Sequence, residues 1–184
     1  MRKATREEIL PNEAYVQARD AIRAEVLKIK ADRRIHVGSH LTFLFENAAT
    51  VRYQVQEMMR IEGLTQDAEI AHELKTYNEL LGDGPELGCT LLIEIDDALQ
   101  RDIVLRKWLN LPKHLYLMLD NGERAAASFD ERQIGDDRLS TVQYLKFACG
   151  SAKPIGIGID HPALEVEQEL TSEQQAALVE DLQS

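Results

Sequence analysis

The dipeptide Asn121-Gly122 separates two strand-like runs, "YLMLD" and "ERAAASFD". A two-residue Asn-Gly loop suits a turn whose central residues both take positive φ, and its twist matches that of antiparallel neighbours. The pair predicts a hairpin of strands over 116–120 and 124–129, and with it a sheet containing antiparallel pairs. Three more segments, "IHVGSHLTFLFE" over 35–46, "CTLLIEID" over 89–96 and the run over 141–149, carry apolar residues at strand spacing. "IGIGID" adds a short strand whose glycines face away from its isoleucines.

The rest of the chain reads as helix. Thr5-x-x-Glu8 is a capping-box pattern for a short first helix. Asn12 can cap a longer one to about Arg33, with Tyr15, Ile22, Val26 and Ile29 on one face. Two helices follow, over about 47–62 and 66–81, the first closed by Gly63 and the second opened by Thr65. Asp97 can cap a helix through about Leu109, and the acidic tail, about 166–184, is helical after Thr171 or Ser172. Strands and helices do not alternate as βαβ units. The expected class is therefore α+β: a single domain over 1–184, with a mostly antiparallel sheet of five or six strands and helices packed on it, including a helical hairpin at about 47–81.

Charge narrows the partners. The 32 acidic residues outnumber the 21 Lys and Arg, for a net charge of −11, and such a surface repels a phosphate backbone, so nucleic acid is not expected. No run approaches the ~20 apolar residues that span a bilayer. "MRKATREEIL" lacks the apolar core of a secretory signal. Cys89 and Cys149 show no C-x-x-C spacing and lie in apolar strand patterns, which suits buried, reduced thiols and a cytoplasmic setting.

One helix carries an anomaly. In "ENAATVRYQVQEMMRIEGL" the residues Val51, Val55, Met58 and Met59 form a stripe, and Glu62 falls near its middle. A carboxylate there must reach water, pair with a cation or bind a metal, because an unpaired buried charge is too costly. Glu73 borders the stripe of the next helix and can meet Glu62 if the two pack as a hairpin. Glu69-x-x-His72 has the spacing of di-iron bundles, but His72 lies opposite the buried stripe and no second motif exists. His36 and His40, read on one continuous strand, stand ~13 Å apart, too far to share an ion. Asp160 and His161 end the glycine-flanked strand, where functional groups are often presented; an Asp-capped turn stiffened by Pro162 is the plainer alternative. His114 has no evident partner. The glycine-rich "LGDGPELGC" lacks the Lys and Ser/Thr of a phosphate loop.

"FLFENAATVRYQVQEMMRIEG", "ELKTYNELLGDGPELGCTLLIEID" and "GIDHP" resemble an uncharacterised bacterial family, domain of unknown function 3501. The likeness runs from the N-terminal helix to "DHP" and is most distinctive at Gln-x-Gln-Glu-Met and Tyr-Asn-x-Leu. The matching polar positions are Glu46, Gln56, Glu57, Glu62, Glu73, Asn78 and His161. The resemblance implies no activity. Members tend to be encoded beside rubrerythrin-like and iron–sulfur proteins, which implies a role near iron or peroxide metabolism.

Two expectations result. The first is a non-catalytic accessory or binding protein that serves an iron-linked redox system through its acidic surface and the Gln56–Glu57 helix face. The alternative is a metal-binding protein or metal-dependent enzyme, with Glu62, Glu73 and His161, joined by His40, around Fe, Mn or Zn. Self-association stays open under both.

Overall fold

The computed structural model describes residues 2–184. Eight strands form one sheet in which every paired neighbour is antiparallel, curled nearly into a barrel. In chain order they are β1 (Arg34–Val37), β2 (Leu41–Glu46), β3 (Glu86–Ile93), β4 (Leu115–Leu119), β5 (Arg124–Ser128), β6 (Val142–Ala148), β7 (Pro154–His161) and β8 (Leu164–Glu169). Across the sheet the order is β1-β2-β3-β6-β5-β4-β7-β8. The hairpin forms at Asn121-Gly122 with Met118 opposite Arg124, but not through the expected turn: only Gly122 takes positive φ, at 84°, and its N–H donates to the Leu119 carbonyl at 3.0 Å. Strand β5 turns the corner of the curl: Arg124 to Ala126 pair with β4, whereas Ala127 and Ser128 pair with β6.

Two strands exceed the expected five or six. One comes from "IHVGSHLTFLFE", which is not a single strand. Gly38 takes φ 60° and folds the segment into the β1–β2 hairpin, placing His36 opposite Thr42. The other is β8, in the acidic tail, which pairs with β7 from Gly156↔Glu169 to His161↔Leu164. The tail is thus an edge of the sheet, and its helix begins after Thr171 as expected.

Alternation then fills the inside of the curl. Phe43, Phe45, Leu87, Leu91, Leu117, Leu145, Phe147 and Ile157 are all essentially inaccessible to water. Cys89 and Cys149 are free, buried thiols in the same cluster. Burial pushes both thiols up, that of Cys149 to about 11, which suppresses the reactive thiolate.

The helices are α1 (Asn12–Ala31), α2 (Ala48–Glu62), α3 (Asp67–Asn78), α4 (Ala98–Lys107) and α5 (Ser172–Gln183). None is long and apolar enough to cross a membrane. Asn47 caps α2, Asp97 caps α4, and Gly63 closes α2 in the left-handed conformation. Helix α3 starts one residue later than expected, capped at Gln66, where Glu69 accepts the Gln66 N–H at 3.2 Å. The expected 47–81 hairpin forms, but it does not lie on the sheet's apolar face. Val51, Val55, Met59, Ile70, Leu74 and Leu81 make a second core with Ala4 and Ile9 of the N-terminal segment. Helix α1 packs on the outer side of α2.

Helix α5 is built into the sheet core. It packs against β3 and β7, strands from both halves of the sheet, and buries Leu178 completely. One turn further, Asp181 meets Arg33 at the start of β1. The guanidinium donates to both carboxylate oxygens, at 2.7 and 2.9 Å, with the side chains only 7% and 4% exposed. Arg33 also donates to the carbonyls of Ile29 and Ala177, and Asn47 donates to Asp181 at 3.1 Å. Burial opposes the Arg33 charge, yet the Asp181 carboxylate holds its pKa above the ordinary arginine value. Removing one partner of a buried pair strands the other. Arg33→Met is therefore expected to cost roughly 3–5 kcal/mol in urea unfolding. Adding Asp181→Leu should recover more than half of that loss. A double variant that loses the sum of what Arg33→Met and Asp181→Leu each lose alone would show the pair to be uncoupled.

Candidate functional site

The proposed ligands do not assemble. Glu62 is exposed on the last turn of α2 with no hydrogen-bond or ion-pair partner. The stripe it would continue ends at Met59, and the helix then runs past its neighbours into water; Ile61 is 64% exposed there. Glu73 lies half-buried on α3. His161 ends β7, and His40 lies in the β1–β2 turn, 3.2 Å from the Glu94 carbonyl. Among the described residues no group of three or more His, Cys, Asp or Glu is placed to hold a metal ion.

Gln56 and Glu57, expected on an interaction surface, are used inside the molecule. Gln56 is 3% exposed. Its amide accepts the Leu10 N–H at 2.7 Å and donates to the Leu10 carbonyl at 3.1 Å, closing a ring like one rung of a sheet. Asn78 does the same to Ala4, at 2.9 Å in both directions. These two amides, one in the Gln-x-Gln-Glu-Met stretch and one in Tyr-Asn-x-Leu, fasten the N-terminal segment to α2 and α3. Each satisfies a backbone pair that would otherwise face other protein atoms unpaired.

Glu57 fastens α1. It accepts from the Tyr15 hydroxyl at 2.6 Å, from Arg19 at 2.7 and 2.9 Å, and from Arg60 at 3.1 Å. The Arg19 hydrogen bonds act first, against the opposing effect of burial. Those from Tyr15 and Arg60 add to them and hold the Glu57 carboxyl at about 2. Burial, and then the bond to Glu57, raise the Tyr15 phenol.

Two parts of the surface gather polar or aromatic side chains. The first is a polar cluster on the outer face of β4, β5, β7 and β8. His114 Nδ1 lies 3.0 Å from Asp160 Oδ1, and the His114 and His161 rings meet edge to face at 5.0 Å. His161 is 8% exposed, and its Nδ1 accepts the Ala163 N–H, so a neutral ring carries its proton on Nε2. Burial, and then the charges of His114 and Lys107, push His161 below its ordinary 6.5. Arg124 stacks on Tyr116 at 4.1 Å, and both donate to Glu167, at 3.1 and 2.8 Å. The glycines of "IGIGID" serve this face. A β-carbon at Gly158 would overlap the Tyr116 ring, and one at Gly156 would overlap Met118. The close approach that they permit is by side chains of β4. The sequence gives no sign of the His114–Asp160 pair, because the two are joined only by the register of Leu115 opposite Ile159.

The second is an open groove of about 610 Å³ between the end of α3 and strands β5 and β6. Its walls include Tyr77, Leu80, Phe129 and Tyr144, with Gln133 and Lys146 among its polar groups. Gln133 forms a third amide ring, accepting the Tyr144 N–H at 2.7 Å and donating to the Tyr144 carbonyl at 3.1 Å. It pairs with β6 where the ladder from β5 has ended at Ser128. Tyr144 is left 49% exposed on that edge.

A family model described as "Protein of unknown function (DUF3501)" matches residues 3–182. The match takes in β8 and all but the end of α5, beyond the reach of the resemblance in the sequence. A crystal structure described as a novel protein of unknown function from Burkholderia pseudomallei is similar over 98% of this chain and 100% of its own, with 32% identity and a TM-score of 0.89. No curated protein matches.

Glu57 supplies a pH test. Its folded pKa lies below the ordinary 4.5, so its contribution to stability is present above about 4.5 and is lost as the pH falls toward 2. Glu57→Gln should lower the melting temperature at pH 7 and flatten the acid limb of the stability curve between those values. Parallel acid limbs in the two proteins would remove Glu57 from the account.

Proposed function

The chain belongs to the family of proteins of unknown function DUF3501, and from that membership and the geometry of its surface we propose a non-catalytic binding protein. It engages its partner through the groove between α3 and strands β5 and β6. One observation carries this reading. In a chain with only 5% aromatic residues, Tyr77, Phe129 and Tyr144 gather around one open concavity. Aromatic side chains present large contact area with few rotatable bonds, and they are enriched where binding energy concentrates. A groove of this size seats one or a few apolar side chains of a partner, with Lys146 and the Gln133 amide close by for polar contacts.

The partner class follows from the company kept by genes of similar proteins: a rubrerythrin-like or iron–sulfur protein of the cytoplasm. The Gln56–Glu57 face has no part in this version of the proposal, since both side chains are engaged within the molecule.

The test is titration calorimetry against the rubrerythrin-like partner, with Tyr144→Ala as the probe. Tyr144 is half exposed, so the substitution should leave the melting temperature unchanged. Affinity should fall at least ~10-fold, as for an aromatic anchor. Absence of a complex, or a complex indifferent to both Tyr144→Ala and Tyr77→Ala, would refute the proposal.

A further inference from the structure

The β1–β2 hairpin brings together two histidines that a single strand would hold apart. His36 pairs with Thr42. His40 extends the neighbouring ladder by one residue, its carbonyl accepting the Glu94 N–H at 2.7 Å. His40 therefore stands two residues from Thr42 on the same face, as the diagonal cross-strand neighbour of His36. Such positions are roughly 7–8 Å apart, a span over which two imidazoles can converge on one ion. His36 is exposed and His40 half-exposed, so both are open to solvent.

The hydrogen bonds fix which nitrogen of each neutral ring is free. The Glu94 carbonyl can only accept, so His40 donates to it from Nδ1, at 3.2 Å. The Thr42 hydroxyl donates its single proton to the Glu94 carboxylate in a short hydrogen bond. It must then accept from His36 Nδ1, 2.9 Å away. Both rings thus carry their proton on Nδ1 and leave the Nε2 lone pair uncommitted. Metal-bound histidines are held in this way, the far nitrogen donating to a carbonyl, or through a relay to a carboxylate, while the other binds. Glu94 supplies both supports, one from its backbone and one from its side chain.

We propose that His36 and His40 bind a late first-row divalent metal ion, such as Zn²⁺ or Ni²⁺, through their Nε2 atoms. Imidazole suits these ions. With two protein donors the remaining positions fall to water, so the metal exchanges and is not needed for folding. The proposal stands apart from the groove and from its partner.

The experiment is titration of the untagged, chelator-treated chain with Zn²⁺, followed by calorimetry and by NMR of the histidine side-chain nitrogens. One equivalent should bind, with perturbation centred on His36 and His40, both in the Nδ1–H form beforehand. His36→Ala and His40→Ala should each weaken binding at least ~10-fold, and Thr42→Val should weaken it by a similar factor by releasing the His36 ring. His72→Ala, an exposed histidine on α3, should change nothing. Melting temperatures of the metal-free histidine variants should match that of the parent. The proposal is overturned if the parent binds no Zn²⁺, if the His36 and His40 variants bind as the parent does, or if both rings are Nε2–H.

Discussion

The fold depends on a charge that the barrel cannot leave alone. Arg33 enters the buried junction where α1 ends, β1 begins and α2 is capped, and Asp181 arrives there from the last helix, 148 residues later in the chain. A guanidinium removed from water is tolerated only if its charge and its donors are met. Asp181 meets the charge, and the carbonyls of Ile29 and Ala177 and the Glu180 carboxylate accept from the same guanidinium. Helix α5 and the first strand are thereby fixed to one another, and the open side of a sheet with two unpaired edges is tied across. The hydrophobic contribution of Leu178 is set by the same contact, because Leu178 and Asp181 lie one turn apart on the buried side of α5.

A second device recurs at smaller scale. The side-chain amides of Gln56, Asn78 and Gln133 each close two hydrogen bonds on the backbone of one distant residue. Two of them hold the N-terminal segment over the helical core, and the third finishes the exposed end of β6. An amide suits this task because it carries a donor and an acceptor in one plane, like the peptide group it replaces. Each bond contributes only about 0.5–1.5 kcal/mol net, but losing the amide leaves two backbone groups without partners. The polar residues Gln56, Glu57 and Asn78 are thus accounted for by architecture.

Much of the fold was legible because local physics decides it. The hairpin at Asn121-Gly122, the Asp97 cap and the Gly63 stop are all local signals, and each element sits where the sequence places it. The β1–β2 hairpin was hidden because Gly38 interrupts an apolar alternation that stays in phase on both sides of the turn, with Ile35 and Val37 inward and then Leu41 and Phe43. The site was less legible. A carboxylate on an apolar stripe was the right clue applied to the wrong helix. Glu62 lies past the packed part of α2, while Asp181 sits on the stripe of Ala177 and Leu178 and is truly buried. Periodicity shows which face a residue occupies. It does not show whether another element covers that face. Pairs such as His114–Asp160 and Arg33–Asp181 exist only through long-range register, and nothing in the spacing of a sequence encodes that.

The central claim is that the Arg33–Asp181 junction makes α5 an integral wall of the sheet rather than an appended tail. Native-state hydrogen exchange reads this directly. The account predicts that the amides of Leu178 and Asp181 exchange only through the same cooperative opening as those of Phe43 in β2 and Leu91 in β3, with equal free energies and equal dependence on denaturant. If the amides of α5 exchange through a separate, low-energy opening while β2 and β3 stay fully protected, the junction does not hold the fold together and the account is wrong.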